Sequence, residues 1–204
     1  MDPAGHDWRL TLARSIERQA LPVEKFGHQP RLYALAKQVG AGLPYDDDVV
    51  YAAAFTHDLG VFVGHRPEDP KLLEKWDMIA YAVEKVPALL RESGFPESKI
   101  DAVIECIRTH QPSFRTRTME ATILRDADIL EQLGAVGILR TVCKVGRDTR
   151  FDTFTAAVRS LQKAVDGLPQ LLVLPKAQAL AEPRVETLRA WLAAVSDEAG
   201  SLLL

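Results

Sequence analysis

The residues best suited to chemistry in this sequence are an adjoining histidine and aspartate, His57 and Asp58. They end the segment VVYAAAFTHDLG, which is otherwise almost entirely apolar. An imidazole and a carboxylate on a buried segment are costly unless both find partners, and a divalent cation satisfies both because each offers a lone pair. The pair alone equally fits a helix-end histidine with a hydrogen-bonded aspartate, so the choice depends on further ligands.

Three more residues extend this pair into a candidate ligand set. His28 lies upstream, at the start of its own amphipathic segment. Asp126 and Asp128 stand in the apolar segment ILRDADILEQLG, where buried carboxylates need a cation or several hydrogen-bond donors. The order His, His-Asp, Asp on three separate helices can close four ligands around one ion.

Helical periodicity dominates the segments that must position these residues. His28 to Val39 carries apolar residues at i, i+3, i+4 and i+7, and residues 49–59 are apolar on nearly every side, as in a buried central helix. Residues 99–110 carry an apolar stripe, and residues 118–139 form a long helix that we expect to break or bend near Gly134 and Gly137. With no sustained period-2 alternation, the chain is predicted to be all-α, a compact bundle of roughly seven to nine helices.

Two kinds of residue predict where helices begin and end. The triplet Asp46, Asp47 and Asp48 precedes the central apolar segment, where carboxylates cap the first turn and oppose the helix dipole. Pro87 and Pro183 stand inside the helical segments at residues 76–90 and 176–195, and we expect them to kink or interrupt these helices.

Composition restricts the class of protein. The 204 residues, 47% hydrophobic and 26% charged, suggest a single domain over residues 1–204, with a core at about residues 20–170 and C-terminal helices at 176–195 packed on it. A net charge of −3 produces no overall electrostatic attraction to a nucleic acid polymer, so we expect no such partner. With no signal peptide or membrane-length apolar run, we expect a cytoplasmic protein without a membrane partner. The oligomeric state cannot be read from the sequence.

Three segments together resemble a known family. They are HQPRLYALA from His28, AAAFTHDLG with His57 and Asp58, and LRDADILEQLGAVG over residues 124–137. In this order they resemble the HD-domain metal-dependent phosphohydrolase superfamily, and in particular its small stand-alone bacterial members. The resemblance implies an all-α fold of the HD-domain type that binds a divalent metal.

The resemblance also implies which residues bind the metal. His28, His57 and Asp58 match the first three ligands. The motif Ala-Asp-x-Leu points to Asp128 as the fourth, whereas helical phase favours Asp126, so the fourth ligand stays open between them. Ligand type does not distinguish Mn, Fe, Ni, Co, Mg or Zn.

One departure from the family pattern limits the number of metals. Dinuclear relatives carry a further histidine after the loop that follows the HD pair. Trp76 and Asp77 stand there in this chain. We therefore predict one divalent ion rather than two.

The function implied by the resemblance is hydrolysis of a small phosphorylated compound, such as a nucleotide, by metal-activated water. Asp58 or Asp126 would accept the proton, and Arg31, His65 and His110 are the predicted substrate-binding residues. The alternatives are an HD-fold hydratase of a nitrile such as cyanamide and a non-catalytic, metal-bound ligand-sensing module. Other cations close to the motifs in sequence are Lys71, Lys75, Arg108, Arg115 and Arg117.

Overall fold

The fold is all-α, as predicted. The computed structural model describes residues 7–147, 151–200 and 202–203, and within these ranges it contains ten α-helices and no β-strand. None of these helices is both long and apolar enough to cross a membrane. The helices are α1 (Trp8–Gln19), α2 (His28–Val39), α3 (Asp47–Thr56), α4 (Pro70–Glu74), α5 (Met78–Glu92), α6 (Ile100–Thr109), α7 (Met119–Glu131), α8 (Gly134–Val142), α9 (Phe154–Gly167) and α10 (Pro175–Ala199).

The number of helices exceeds the predicted seven to nine for two local reasons. The short helix α4 lies in a segment too short for a clear periodic signal, where Asp69 caps the first turn and Pro70 opens it. The predicted long helix of residues 118–139 is two helices, and α8 begins at Gly134, whose φ is 73°. An L-residue is disfavoured at this φ and glycine is not, which explains the break at that position. Gly137 lies inside α8 and does not break it.

The helices α5 and α10 continue through their internal prolines, so the expected interruption was wrong. Pro87 lies inside α5 and Pro183 inside α10. A proline removes one backbone hydrogen bond, and burial of an apolar face on both sides of it offsets this loss. In α5 this face consists of Ala82, Val86 and Leu90, all fully buried.

The acidic triplet caps α3 as predicted and also joins it to two other helices. The Asp46 carboxylate accepts the backbone amide of Asp48 at 3.0 Å. Arg9 on α1 contacts Asp48 at 2.6 Å, and Lys99, just before α6, contacts it at 2.8 Å. Burial raises the pKa of Asp48, but hydrogen bonds from Lys99 and Arg9 outweigh this effect and hold the pKa below its ordinary value.

Contacts divide the chain into two compact units, Met1–Arg125 and Asp126–Leu204. In the first unit α3 is central: all its residues from Val49 to Thr56 are buried, and α1, α2, α5 and α6 pack against it. In the second unit α8, α9 and α10 pack against one another. The single domain over residues 1–204 stays a prediction.

Candidate metal centre

The candidate metal centre lies where the ends of three helices meet in the first unit. Helix α2 begins at His28, and α3 ends immediately before His57. The two helices pack side by side after a chain reversal, so the start of α2 lies beside the end of α3. Helix α6 also packs on α3 and ends immediately before His110. The packing of these three helices thus brings together three histidines that are remote in sequence.

Three side chains converge closely enough to share one ion. The Nε2 atoms of His28 and His57 are 3.3 Å apart, and Asp58 Oδ2 lies 3.7 Å from the first and 3.6 Å from the second. Two nitrogen ligands at ~2.0–2.1 Å from one tetrahedral ion are separated by about 3.3 Å. The two imidazoles and the carboxylate therefore fit a divalent metal in both spacing and donor type.

A contact with a backbone carbonyl fixes the orientation and the tautomer of the His57 ring. Its Nδ1 lies 3.1 Å from the carbonyl oxygen of Ala54. A carbonyl only accepts hydrogen bonds, so Nδ1 carries the proton and Nε2 keeps its lone pair facing His28. His57 and His28 are 1% and 5% exposed, whereas the Asp58 side chain is 23% exposed. Solvent therefore reaches this cluster at Asp58.

His110, which the sequence analysis names as a substrate-binding candidate, lies next to the cluster. Its ring meets the His57 ring edge to face, with centroids 5.1 Å apart, and its Nδ1 donates to the carbonyl of Ile107 at 2.6 Å. His110 continues the buried stripe of Ile100, Val103 and Ile107 by one further turn, which directs its ring toward α3. Its substrate-binding role stays a prediction.

The two candidates for the fourth ligand have different surroundings within the second unit. Asp126 is fully buried, and its Oδ2 accepts the backbone amides of Val173 at 3.0 Å and Leu174 at 2.7 Å. Asp128 is half-buried, and its Oδ2 lies 3.3 Å from Nε2 of Gln132. Sequence reasoning gave no sign of the contact between Asp126 and the segment before α10. The choice between the two aspartates stays open, as does the assignment of Asp126 as a proton acceptor.

The other two predicted substrate-binding residues, Arg31 and His65, lie in the first unit, as the cluster does. Arg31 is exposed and follows His28 by one turn of α2. His65 is half-buried, with Nδ1 3.0 Å from the hydroxyl of Tyr81, and burial lowers the pKa of its imidazole. Among the residues described, the group with metal-ligand spacing consists of His28, His57 and Asp58 and does not include His65.

The comparison with protein families decides which family this arrangement represents. A family model described as HD domain matches residues 26–133, which is more than half of the chain. The chain belongs to the HD domain family. The matched segment contains all three members of the cluster and both candidate fourth ligands, and the resemblance inferred from the sequence is confirmed.

Solved structures agree with this HD domain assignment. YpgQ of Bacillus subtilis in complex with ADP is 26% identical, with a TM-score of 0.68 over 96% of this chain and 99% of that chain. Another structure of YpgQ is 25% identical, with a TM-score of 0.71 over 96% and 100% of the two chains. A predicted HD superfamily hydrolase from an uncultured Thermotogales bacterium shares the fold at 21% identity, with a TM-score of 0.61 over 94% and 91%. No curated protein matches the chain.

Proposed function

We propose that this HD domain protein is a metal-dependent phosphohydrolase acting on a small phosphorylated compound, and that nucleotides are the first substrates to test. The convergence of His28, His57 and Asp58 within metal-ligand spacing carries the proposal. The similarity to YpgQ, which has been crystallised with ADP, supports the choice of nucleotides.

In this proposal each residue of the centre has a distinct task. His28 and His57 hold one divalent ion through Nε2, and Asp58 supplies an oxygen ligand from the side open to solvent. A divalent ion, when bound, lowers the pKa of a coordinated water and neutralises phosphoryl oxygens. Asp58, being accessible, is also the group placed to accept a proton.

The surroundings of the two remaining aspartates support Asp128 as the fourth ligand. The carboxylate of Asp126 already accepts two backbone amides, so binding a metal there would compete with hydrogen bonds that anchor the chain before α10. Asp128 is more accessible, and its motif position agrees with the family pattern. We therefore propose Asp128 as the ligand and keep Asp126 as the alternative.

The test is release of phosphate or pyrophosphate from a panel of nucleotides and sugar phosphates, with titration of Mn, Fe, Ni, Co, Mg and Zn. We expect metal-dependent turnover by the wild-type protein. His57→Ala should lower turnover about 100-fold or more and weaken metal binding in calorimetry, because a ligand is removed. Gln38→Ala, on the exposed face of α2, is the control and should behave as wild type.

Three outcomes would count against the proposal. Turnover that survives His57→Ala would refute the assignment of the centre. Consumption of cyanamide without phosphate release would favour the nitrile hydratase. Tight metal binding without turnover of any compound in the panel would favour a ligand-sensing module.

A further inference from the structure

A groove in the first unit, lined by residues other than those of the metal centre, is a candidate ligand site. An open groove of about 900 Å³ runs between the outward face of α6 and the loop that follows it. Its principal lining residues are Glu105, Arg108, Thr109, Phe114, Arg115 and Arg117. The volume lies in the range of about 300–1,000 Å³ that is typical of small-molecule sites.

The groove concentrates positive charge in a chain that is acidic overall. Arg108, Arg115 and Arg117 are all exposed, and none pairs with a carboxylate among the residues described. Glu105 is the one acidic residue among the lining side chains. A guanidinium offers a planar pair of donors that matches two phosphate oxygens, so this arrangement fits an anion with several phosphate oxygens.

An aromatic ring stands beside these cations on a loop whose backbone is held in place. Phe114 is 47% exposed. Its backbone carbonyl accepts a hydrogen bond from Nη1 of Arg125 at 2.9 Å, and its backbone amide donates one to the carbonyl of Gln111 at 3.0 Å. Two residues later, the hydroxyl of Thr116 lies 2.7 Å from that of Thr122 on α7. The exposed ring is therefore presented on an ordered loop, ready to stack on a planar group.

The groove and the metal centre use different faces of the same helix. Glu105, Arg108 and Thr109 share the outward face of α6 at i, i+3 and i+4. His110 continues the buried stripe instead and packs against His57. The lining of the groove therefore does not include His28, His57 or Asp58.

We propose that this groove binds a free nucleotide, with its phosphates on Arg108, Arg115 and Arg117 and its base stacked on Phe114. The combination of paired donors with one exposed ring matches a phosphate chain joined to a flat base. A net charge of −3 and the size of the groove favour a mononucleotide over a nucleic acid strand, which needs an extended basic track. The proposal does not depend on hydrolysis at the metal centre.

Calorimetric titration of the full-length protein with a methylene-bridged, non-hydrolysable analogue of ADP tests this site. The titration is run on the protein as purified and again after chelation of metal. We expect binding in both samples. The double variant Arg108→Gln, Arg115→Gln should bind at least about tenfold more weakly, because each arginine supplies charge-assisted hydrogen bonds. Phe114→Ala should weaken binding of the analogue but not of inorganic pyrophosphate, which has no base to stack.

Two further variants serve as controls. Arg14→Gln removes an exposed arginine on α1 and should leave affinity unchanged. His57→Ala should retain the groove binding even when it abolishes turnover, so failure of the proposed hydrolysis and failure of this proposal are distinguishable. Circular dichroism confirms that each variant is folded.

Several results would overturn the proposal. One is the absence of analogue binding to the wild-type protein. Another is a double arginine variant that binds the analogue as tightly as wild type while His57→Ala no longer binds it. This result would place the nucleotide at the metal centre. A single-stranded oligonucleotide that binds more tightly than the analogue would replace the mononucleotide by a nucleic acid strand. Equal weakening of analogue and pyrophosphate by Phe114→Ala would exclude base stacking.

Discussion

Replacement of Asp126 tests whether this buried carboxylate holds the fold or performs chemistry. Its Oδ2 accepts the amides of Val173 and Leu174, the two residues that lead into α10. The contact spans 47 and 48 residues of sequence within the second unit. We expect Asp126→Ala to detach this segment and destabilise the protein without a proportionate loss of metal affinity.

The magnitude follows from the two amides that lose their acceptor. Leu174 is 8% exposed, so its amide is left largely without water, and an unsatisfied buried donor costs about 1–3 kcal/mol. Val173 is 54% exposed, and water can replace most of its lost bond, at about 0.5–1.5 kcal/mol. Asp126→Ala should therefore lower the free energy of unfolding by about 2–4 kcal/mol. Asp126→Asn keeps an acceptor oxygen but loses the charge, and should cost about 1–2 kcal/mol.

Urea unfolding followed by circular dichroism measures this difference. For a slope of about 2 kcal/mol/M, the midpoint of Asp126→Ala should fall by about 1–2 M. Asp152→Asn, which changes an exposed carboxylate in the same unit, is the control and should not move it. An Asp126→Ala protein as stable as wild type but unable to bind metal would refute the reasoning and make Asp126 the fourth ligand.

Two other predictions concern titratable groups away from the centre. The lowered pKa of Asp48 means that its contribution to stability is complete above the ordinary pKa of 3.8 and is lost as pH falls through the lowered value. Lys99→Gln should therefore reduce the loss of stability between pH 6 and pH 3, by about 0.5–1 kcal/mol for these partly exposed pairs, as measured by urea unfolding at both pH values. Cys106 is fully buried, and desolvation raises the pKa of its thiol to about 12, whereas Cys143 is exposed. A thiol reagent at pH 8 should modify one cysteine in the folded protein and two after denaturation.

Each of these predictions has a matched control. Lys85→Gln removes an exposed lysine that forms an ion pair with the neighbouring Glu84, and it should leave the acid sensitivity unchanged. An equal loss of stability in wild type and Lys99→Gln would contradict the first prediction. Cys143→Ser should abolish the reaction of the folded protein, and a remaining fast-reacting thiol would show that Cys106 is accessible.

Much of the helical framework was predictable because helices depend on neighbours three and four residues apart. The stripe from His28 to Val39 predicted α2 with the bounds that the structure shows, and the apolar segment before His57 predicted the central helix α3. The interruption predicted at the two prolines was wrong. A proline in the sequence shows that one backbone hydrogen bond is lost, but not that burial offsets this loss in α5 and α10.

The sequence by itself determined which residue types lie in which helices, and through three ordered segments it determined membership of the HD domain family. Only the tertiary structure decided which side chains meet. The 3.3 Å approach of His28 to His57, the place of His110 and the acceptance of the Leu174 amide by Asp126 all depend on how helices pack. Helical periodicity is a local property of the chain, whereas these contacts join residues tens of positions apart, so no local pattern encodes them.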